Sequence, residues 1–205
     1  RDIRVGHIFN EYKNYVQHTA DWGSCFVEPA KSASDHMALL KTYAEHFRQF
    51  SSPTAGSRLS RFLARLVVID TSTVYPLLLL CSQRLRPQQQ TEFEAILTVL
   101  ESYLFRRMIC GLTTKNYNRL FLDLIRHLER EKQITAQVVG AFLLSSEGES
   151  VRFPKDGELS NALLDYPLYQ WWPQYRVRAV LEALERALAH AKSEAVSLPK
   201  GLTIE

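Results

Sequence analysis

Apolar residues recur at steps of three and four along almost the whole of the 205-residue chain, the period of a helix with one buried face. Between Thr91 and Gly111 the stripe Phe93, Ile96, Leu97, Leu100, Leu104 and Met108 predicts a helix that Gly111 closes in a left-handed cap. Thr113 and Thr114 can cap a second helix running to about Glu131, where Tyr117, Leu120, Phe121, Leu124 and Leu128 repeat the stripe. Together they predict a helical hairpin. From Arg176 to about Ala191, Val177, Val180, Leu181, Leu184 and Leu188 face inward. Arg178, Glu182 and Arg186 form a solvated ladder at spacings of four.

Further helices are predicted over Asp2 to His18, Asp35 to Phe50, Ser57 to Ile69, Thr73 to Arg84 and Ile134 to Leu144. Pro76 falls near the start of its helix, where a missing N–H is tolerated. Loops are marked by 21–32, by SSPTAG at 51–56 and by SSEGES at 145–150. Only Leu198 to Glu205 and Ser150 to Phe153 read as extended. The pattern predicts an all-α chain of about eight to ten helices in a single array, residues 1–197, followed by a short extended C-terminal segment, 198–205. No period of 30 to 45 residues repeats, so a solenoid is not supported.

Composition narrows the class without naming a chemistry. Hydrophobic residues make up 46% and charged residues 23%, which suits a packed core. The longest apolar run, Tyr75 to Cys81, is far shorter than the ~20 residues that span a bilayer, so no membrane segment is expected. The opening RDIRVGHIF has neither a starting Met nor an apolar signal core. It therefore reads as an internal fragment of a protein that resides in the cytoplasm. Three cysteines without C-x-x-C spacing, Cys25, Cys81 and Cys110, indicate neither a disulfide framework nor a zinc site. The net charge of +3 is too small to signal nucleic-acid binding in bulk.

Candidate chemistry is sparse. His7, Glu11 and His18 share a helix face, but the last step covers about two turns, too far to share an ion without a third element. His36 and His46 are similarly separated. Motifs for phosphate loops, dinucleotide folds, nucleophile elbows and zinc proteases are absent from the sequence. No catalytic or cofactor-binding residue is therefore nominated. Two basic stripes are better organised. Arg58, Arg61 and Arg65 lie at i, i+3 and i+7 behind small polar residues and are candidates for contact with a DNA backbone. Arg119 and Arg126, with Arg130, make a second, partly neutralised by Asp123. Against both stands the plainer reading of helix-face ion pairs. Arg106 and Arg107 leave a helix already buried on its other face, so one of them is expected to brace a neighbouring helix through carbonyls or a carboxylate. The aromatic run YPLYQWWPQY, Tyr166 to Tyr175, can be taken for a base-stacking platform. A connection packed onto the core is the favoured reading.

Several stretches, in order, carry a resemblance. LESYLFRRMICGLTTKNYNRLF at 100–121, VYPLLLL at 74–80, RFPKDGELSNALLDYPLY at 152–169 and Arg176 to Glu182 are similar to the middle region of modification-dependent restriction proteins of the GmrSD type. The similarity covers about Asp70 to Glu205. In that family an N-terminal ParB-like domain uses nucleotide and senses modified DNA or a phage signal, and a C-terminal His-Asn-His nuclease cuts DNA. The resemblance implies a helical linking region between those two, in an anti-phage protein whose full-length parent is a metal-dependent endonuclease. It also implies that LPKGLTIE, 198–205, begins the nuclease domain, with Glu205 at the acid position that can ligate a divalent metal. The general-base His that should follow is not in the chain, so the chain by itself is expected to be inactive. Implied partners are the flanking sensor and nuclease domains, DNA, and a second copy of the chain. The alternative is a stand-alone helical module for protein interaction or oligomerisation.

Overall fold

The computed structural model describes residues 32–188, and all regular structure among them is helical. Nine α-helices follow one another: α1 (Ala33–Ser51), α2 (Arg58–Ile69), α3 (Tyr75–Arg84), α4 (Gln90–Ile109), α5 (Tyr117–Arg130), α6 (Ala136–Ser145), α7 (Asp156–Asp165), α8 (Leu168–Trp171) and α9 (Gln174–Leu188). A single 3-10 turn, Pro87–Gln89, leads into α4. The predicted helix over Asp2 to His18 and the extended segment 198–205, Glu205 included, lie outside the described residues.

Local sequence accounts for most of the boundaries. Ser32 caps α1, its Oγ accepting from the Asp35 amide at 3.2 Å while the Asp35 carboxylate accepts from the Ser32 amide at 3.0 Å. The helix predicted from Asp35 thus begins at Ala33, with Asp35 in its first turn as the reciprocal partner of the Ser32 cap. Ser57 and Thr135 cap α2 and α6 in the same way, through the amides of Ser60 and Val138. Gly111 ends the turn after α4 at φ 67°, as predicted for a left-handed closure. Asp70 ends α2 at φ 58°, a left-handed conformation for which no glycine was present to give a signal. The start of α5 departs from expectation: Asn116 is the cap residue and makes no side-chain cap bond, while Thr113 Oγ1 accepts from the Lys115 amide in the preceding turn.

Helix α4 is the hub. Its buried residues Ile96, Leu97, Leu100 and Leu104 are fully enclosed, and it packs against α2, α6 and α7. Phe62, Leu66, Val139 and Leu143 supply the facing surfaces. Each such side chain is worth about 1.5–3 kcal/mol of burial. The apolar run 75–81 forms most of α3, which lies between α1 and α5 and buries Leu77, Leu78, Leu80 and Cys81. A helix clad on two sides needs apolar residues on two sides, which is why its sequence loses the single stripe.

Three expectations are corrected. Helices α4 and α5 do not pack lengthwise as a hairpin, because α5 takes α3 and α6 as its main partners. They meet near the corner, where the Tyr103 and Tyr117 rings stand 6.1 Å apart. Residues 150–153 form a turn and an irregular strap rather than a strand. Helices α7 and α8 had no predicted counterpart. Helix α7 buries only Ala162 fully and has no enclosed stripe to announce it.

Candidate functional site

The tightest arrangement of polar chemistry surrounds Arg107, in the last turn of α4. Its side chain is completely buried, and no carboxylate pairs with it among the described residues. All five guanidinium N–H groups are nonetheless used. Nε donates to Tyr117 Oη at 3.2 Å, Nη1 to the carbonyls of Glu149 and Arg152 at 3.3 and 2.8 Å, and Nη2 to those of Thr113 and Ser150 at 2.6 and 2.9 Å. The rings of Tyr103 and Tyr117 lie 5.6 and 5.5 Å from the guanidinium carbon. A buried cation is costly unless its donors are matched and its charge offset, and here carbonyl dipoles and ring faces do both.

The effect is to fasten a strap, residues 148–155, across the end of α4. Gly148 opens it at φ 96°, and its carbonyl accepts from the amides of Val151 and Arg152 at 3.0 and 2.8 Å. Tyr103 donates its hydroxyl to the Val151 carbonyl at 2.7 Å. Four successive strap carbonyls, 149 to 152, are therefore held by α4. Arg106 continues the pattern, donating to the Pro154 carbonyl at 3.3 Å and pairing with Asp156 at 2.5 Å. Arg152 closes the far end through two bonds of 2.6 Å to Glu158. The expectation that one of the pair braces a neighbouring helix is met by Arg106 through Asp156 of α7, while Arg107 fastens the strap instead. Burial raises the Tyr103 and Tyr117 phenol pKa values, with Arg107 acting in opposition. Both hydroxyls keep their protons at neutral pH, Tyr103 donating its own to Val151 and Tyr117 accepting from Arg107, so the cluster acts as a structural lock.

The first basic stripe proves to be a second fastening. Arg58 and Arg65 reach across to Glu101 of α4, which is only 12% exposed. Arg58 Nη2 stands 2.7 Å from Glu101 Oε2, off the axis of an aligned hydrogen bond, and Arg65 Nη1 contacts Oε1. Arg58 also donates to Thr98 Oγ1 at 3.3 Å, and Arg61 to the Gly56 carbonyl. Burial lowers the pKa of Arg58 and Arg65, and for Arg65 the neighbouring Arg58, Arg186 and Arg61 add to it. Both retain their charge at neutral pH, since an arginine starts from 12.5. On α5, Arg119 is 85% exposed and 3.8 Å from Asp123, to which Arg126 Nη1 donates at 3.2 Å.

The aromatic run departs from its favoured reading. Trp172 packs against the core. Tyr169 and Trp171 are each 65% exposed, and Tyr166, Tyr175 and the adjoining Leu164 are exposed as well. The Tyr166 and Trp171 rings lie 5.9 Å apart at the surface. Two prolines, Pro167 and Pro173, break the chain into the single turn α8, so the rings project from a bend and not from one helix face.

Of the histidines in the described residues, two have polar or ring partners of their own. His46 Nδ1 is 2.8 Å from Ser82 Oγ, and His127 stacks 5.3 Å from the Phe142 ring. No group of three potential ligands occurs among the described residues, while His7, Glu11, His18 and Glu205 lie outside them. Among the described residues no helix is long and apolar enough to cross a membrane. Cys81 is enclosed in the core, where burial pushes its thiol up to about 12. No family model, no curated protein and no solved structure matches this chain.

Proposed function

We propose that the chain is a non-catalytic helical scaffold that docks a neighbouring protein domain through the aromatic surface of α7, α8 and α9. The observation that carries this reading is the exposure of Leu164, Tyr166, Tyr169, Trp171 and Tyr175 within one bend of the chain. Tyr and Trp offer large contact area at low entropic cost and dominate protein interfaces, and an apolar cluster of this kind on a folded domain marks an interaction site. The fastening of α4 to the strap and to α2 supports the same reading, because a scaffold transmits position only where its own elements are fixed.

The sequence resemblance supplies the occupant: a flanking domain of the same polypeptide in a GmrSD-type restriction protein of the bacterial cytoplasm. The scaffold then couples a nucleotide-using sensor to a metal-dependent His-Asn-His nuclease, with Glu205 at the nuclease's acid position. DNA-backbone contact in this scheme falls first to Arg119, which is 85% exposed, since Arg58 and Arg65 are engaged with Glu101 and Arg126 donates to Asp123. The test is cleavage. Protein extended beyond Glu205 nicks DNA with a divalent metal, the 205-residue chain does not, and Tyr169→Ser with Trp171→Ser breaks the dependence of cleavage on the sensor. Cleavage by the short chain sinks the scaffold reading.

A second reading, a stand-alone module that self-associates, is favoured by the exposed Met37, Leu40 and Phe47 on α1 and Leu181, Leu184 and Leu188 on α9. Sedimentation of the chain over a range of concentrations separates the two: a mass that doubles with concentration and reverts in Leu184→Ser selects self-association.

A further inference from the structure

A cleft of about 570 Å³ opens at the far end of the molecule from the strap, between the end of α3 with the following 3-10 turn and the connection from α5 to α6. Two segments more than forty residues apart in sequence bring cations to its wall. Arg84 comes from the last turn of α3, Arg86 from the residues before the 3-10 turn, and Lys132 from the α5–α6 connection. Gln88 and Gln133 add side-chain amides. Its floor includes Ile134, which is buried.

The charge here is deployed differently from that of the arginines that fasten the strap and α2 to α4. Arg58, Arg65, Arg106, Arg107 and Arg152 are all committed to acceptors of the chain itself. Among the described residues no carboxylate stands within ion-pair distance of Arg84, Arg86 or Lys132. Glu131 is the single acid in the lining, and it lies 3.8 Å from His127 Nε2. Glu129 attracts Arg84 from the preceding turn but attracts Arg126 too. The α3 and α5 helices both end at this cleft, so their dipoles help to hold cations there. That accounts for where the three side chains sit, and it leaves their outward N–H groups facing solvent.

We propose that this cleft binds a phosphate-bearing ligand, with Arg84, Arg86 and Lys132 supplying the charge and Gln88 and Gln133 hydrogen bonds. The volume lies within the range of small-molecule sites. Three cations line one concavity, and phosphate geometry suits guanidinium forks and an ammonium point charge. A polar wall of this composition selects against an apolar ligand. Two sources carry the same chemistry, a free nucleotide or pyrophosphate and the backbone of a single strand. The proposal does not depend on the aromatic docking surface.

The experiment uses the whole 205-residue chain and a short fluorescein-labelled oligodeoxythymidylate read by anisotropy at low salt, with inorganic pyrophosphate as competitor. Arg84→Gln combined with Arg86→Gln and Lys132→Gln should weaken binding about tenfold or more. It should also reduce the slope of log affinity against log salt by about two, as expected for three lost contacts to a single strand. All three residues are exposed, so the variant should keep its helical circular dichroism. The control removes equal charge elsewhere, Lys41→Gln with Lys115→Gln and Lys155→Gln, and should change affinity less than about threefold. Competition by pyrophosphate identifies a compact phosphate ligand, and its failure beside tight strand binding identifies a backbone. Equal losses in the two variants, or no binding of either probe by the parent chain, overturn the proposal.

Discussion

Arg107 Nε donates to Tyr117 Oη at 3.2 Å, and the same guanidinium carbon stands 5.5 Å from the Tyr117 ring. One side chain of α5 thereby meets both the donors and the charge of a cation buried at the end of α4. The remaining four N–H groups reach carbonyls of the strap and of Thr113. The corner between α4 and α5 is thus built around one positive charge, and its geometry is set by where acceptors are available.

Replacing Arg107 by Met keeps much of the volume and removes every donor. Five buried or part-buried acceptors then lose their donor, and stability should fall by about 3 kcal/mol. Arg107→Lys keeps the charge but offers three donors from one point, so it should recover only part of the loss. Thermal unfolding measures both, and hydrogen exchange of residues 149–153 should accelerate in Met before the rest of the chain. Equal melting temperatures for Met and the parent would show that the carbonyl cage contributes nothing.

Glu101 holds Arg58 and Arg65 together, and without its charge the two guanidiniums repel across a half-buried seam. Glu101→Gln should cost about 1–2 kcal/mol. A double-mutant cycle with Arg65→Gln should give a coupling near 1 kcal/mol, measured by denaturant unfolding. The absence of coupling would free the α2 arginines for the DNA-contact role their spacing suggested.

The Arg152–Glu158 pair makes a specific prediction in pH. Two hydrogen bonds from Arg152 hold the Glu158 carboxyl below its ordinary 4.5. A carboxylate depressed on folding contributes in full above the unfolded value and loses that contribution as pH falls through the folded value. The stabilising increment is therefore present at pH 7 and is lost as the pH drops below 4.5 and through the lower folded value. Glu158 is about a third exposed, so solvent screening limits the effect to about 0.5–1 kcal/mol. Glu158→Gln should lower the melting temperature by a few degrees at pH 7 and leave it unchanged near pH 3; the reverse order of effects rules the assignment out.

Two left-handed residues end their helices at different cost. Gly111 has open space where a Cβ would stand, so Gly111→Ala carries backbone strain alone, about 1 kcal/mol. Asp70 holds φ 58° with a side chain already in place, and Asp70→Asn should gain a few tenths of a kcal/mol, because Asn tolerates that region better. Urea unfolding of both variants checks the pair. A Gly111→Ala protein as stable as its parent would contradict the assigned backbone.

The sequence alone determined most of the helices, and for a local reason. The stripes of α4 and α5 and the Gly111 closure are each written in residues no more than a few positions apart, where the helical period and capping chemistry operate, whereas the inward stripe expected on α9 is buried at Val177 and Val180 but exposed at Leu181, Leu184 and Leu188. That one of Arg106 and Arg107 braces a neighbouring helix was legible on the same basis, as two cations leaving a helix whose other face was already buried. Helix α7 was not legible, because it buries so little that no stripe records it. The tertiary structure alone decided which elements meet: α5 packs on α3 and α6 instead of folding back on α4, since apolar stripes specify that a face is buried but not against what. It also decided that Arg58 and Arg65 turn toward Glu101, some forty residues away. For the same reason it decided that Tyr169 and Trp171 stay at the surface. A spacing of three or seven fixes a shared face, and only the neighbours brought by the fold fix whether that face sees protein or water.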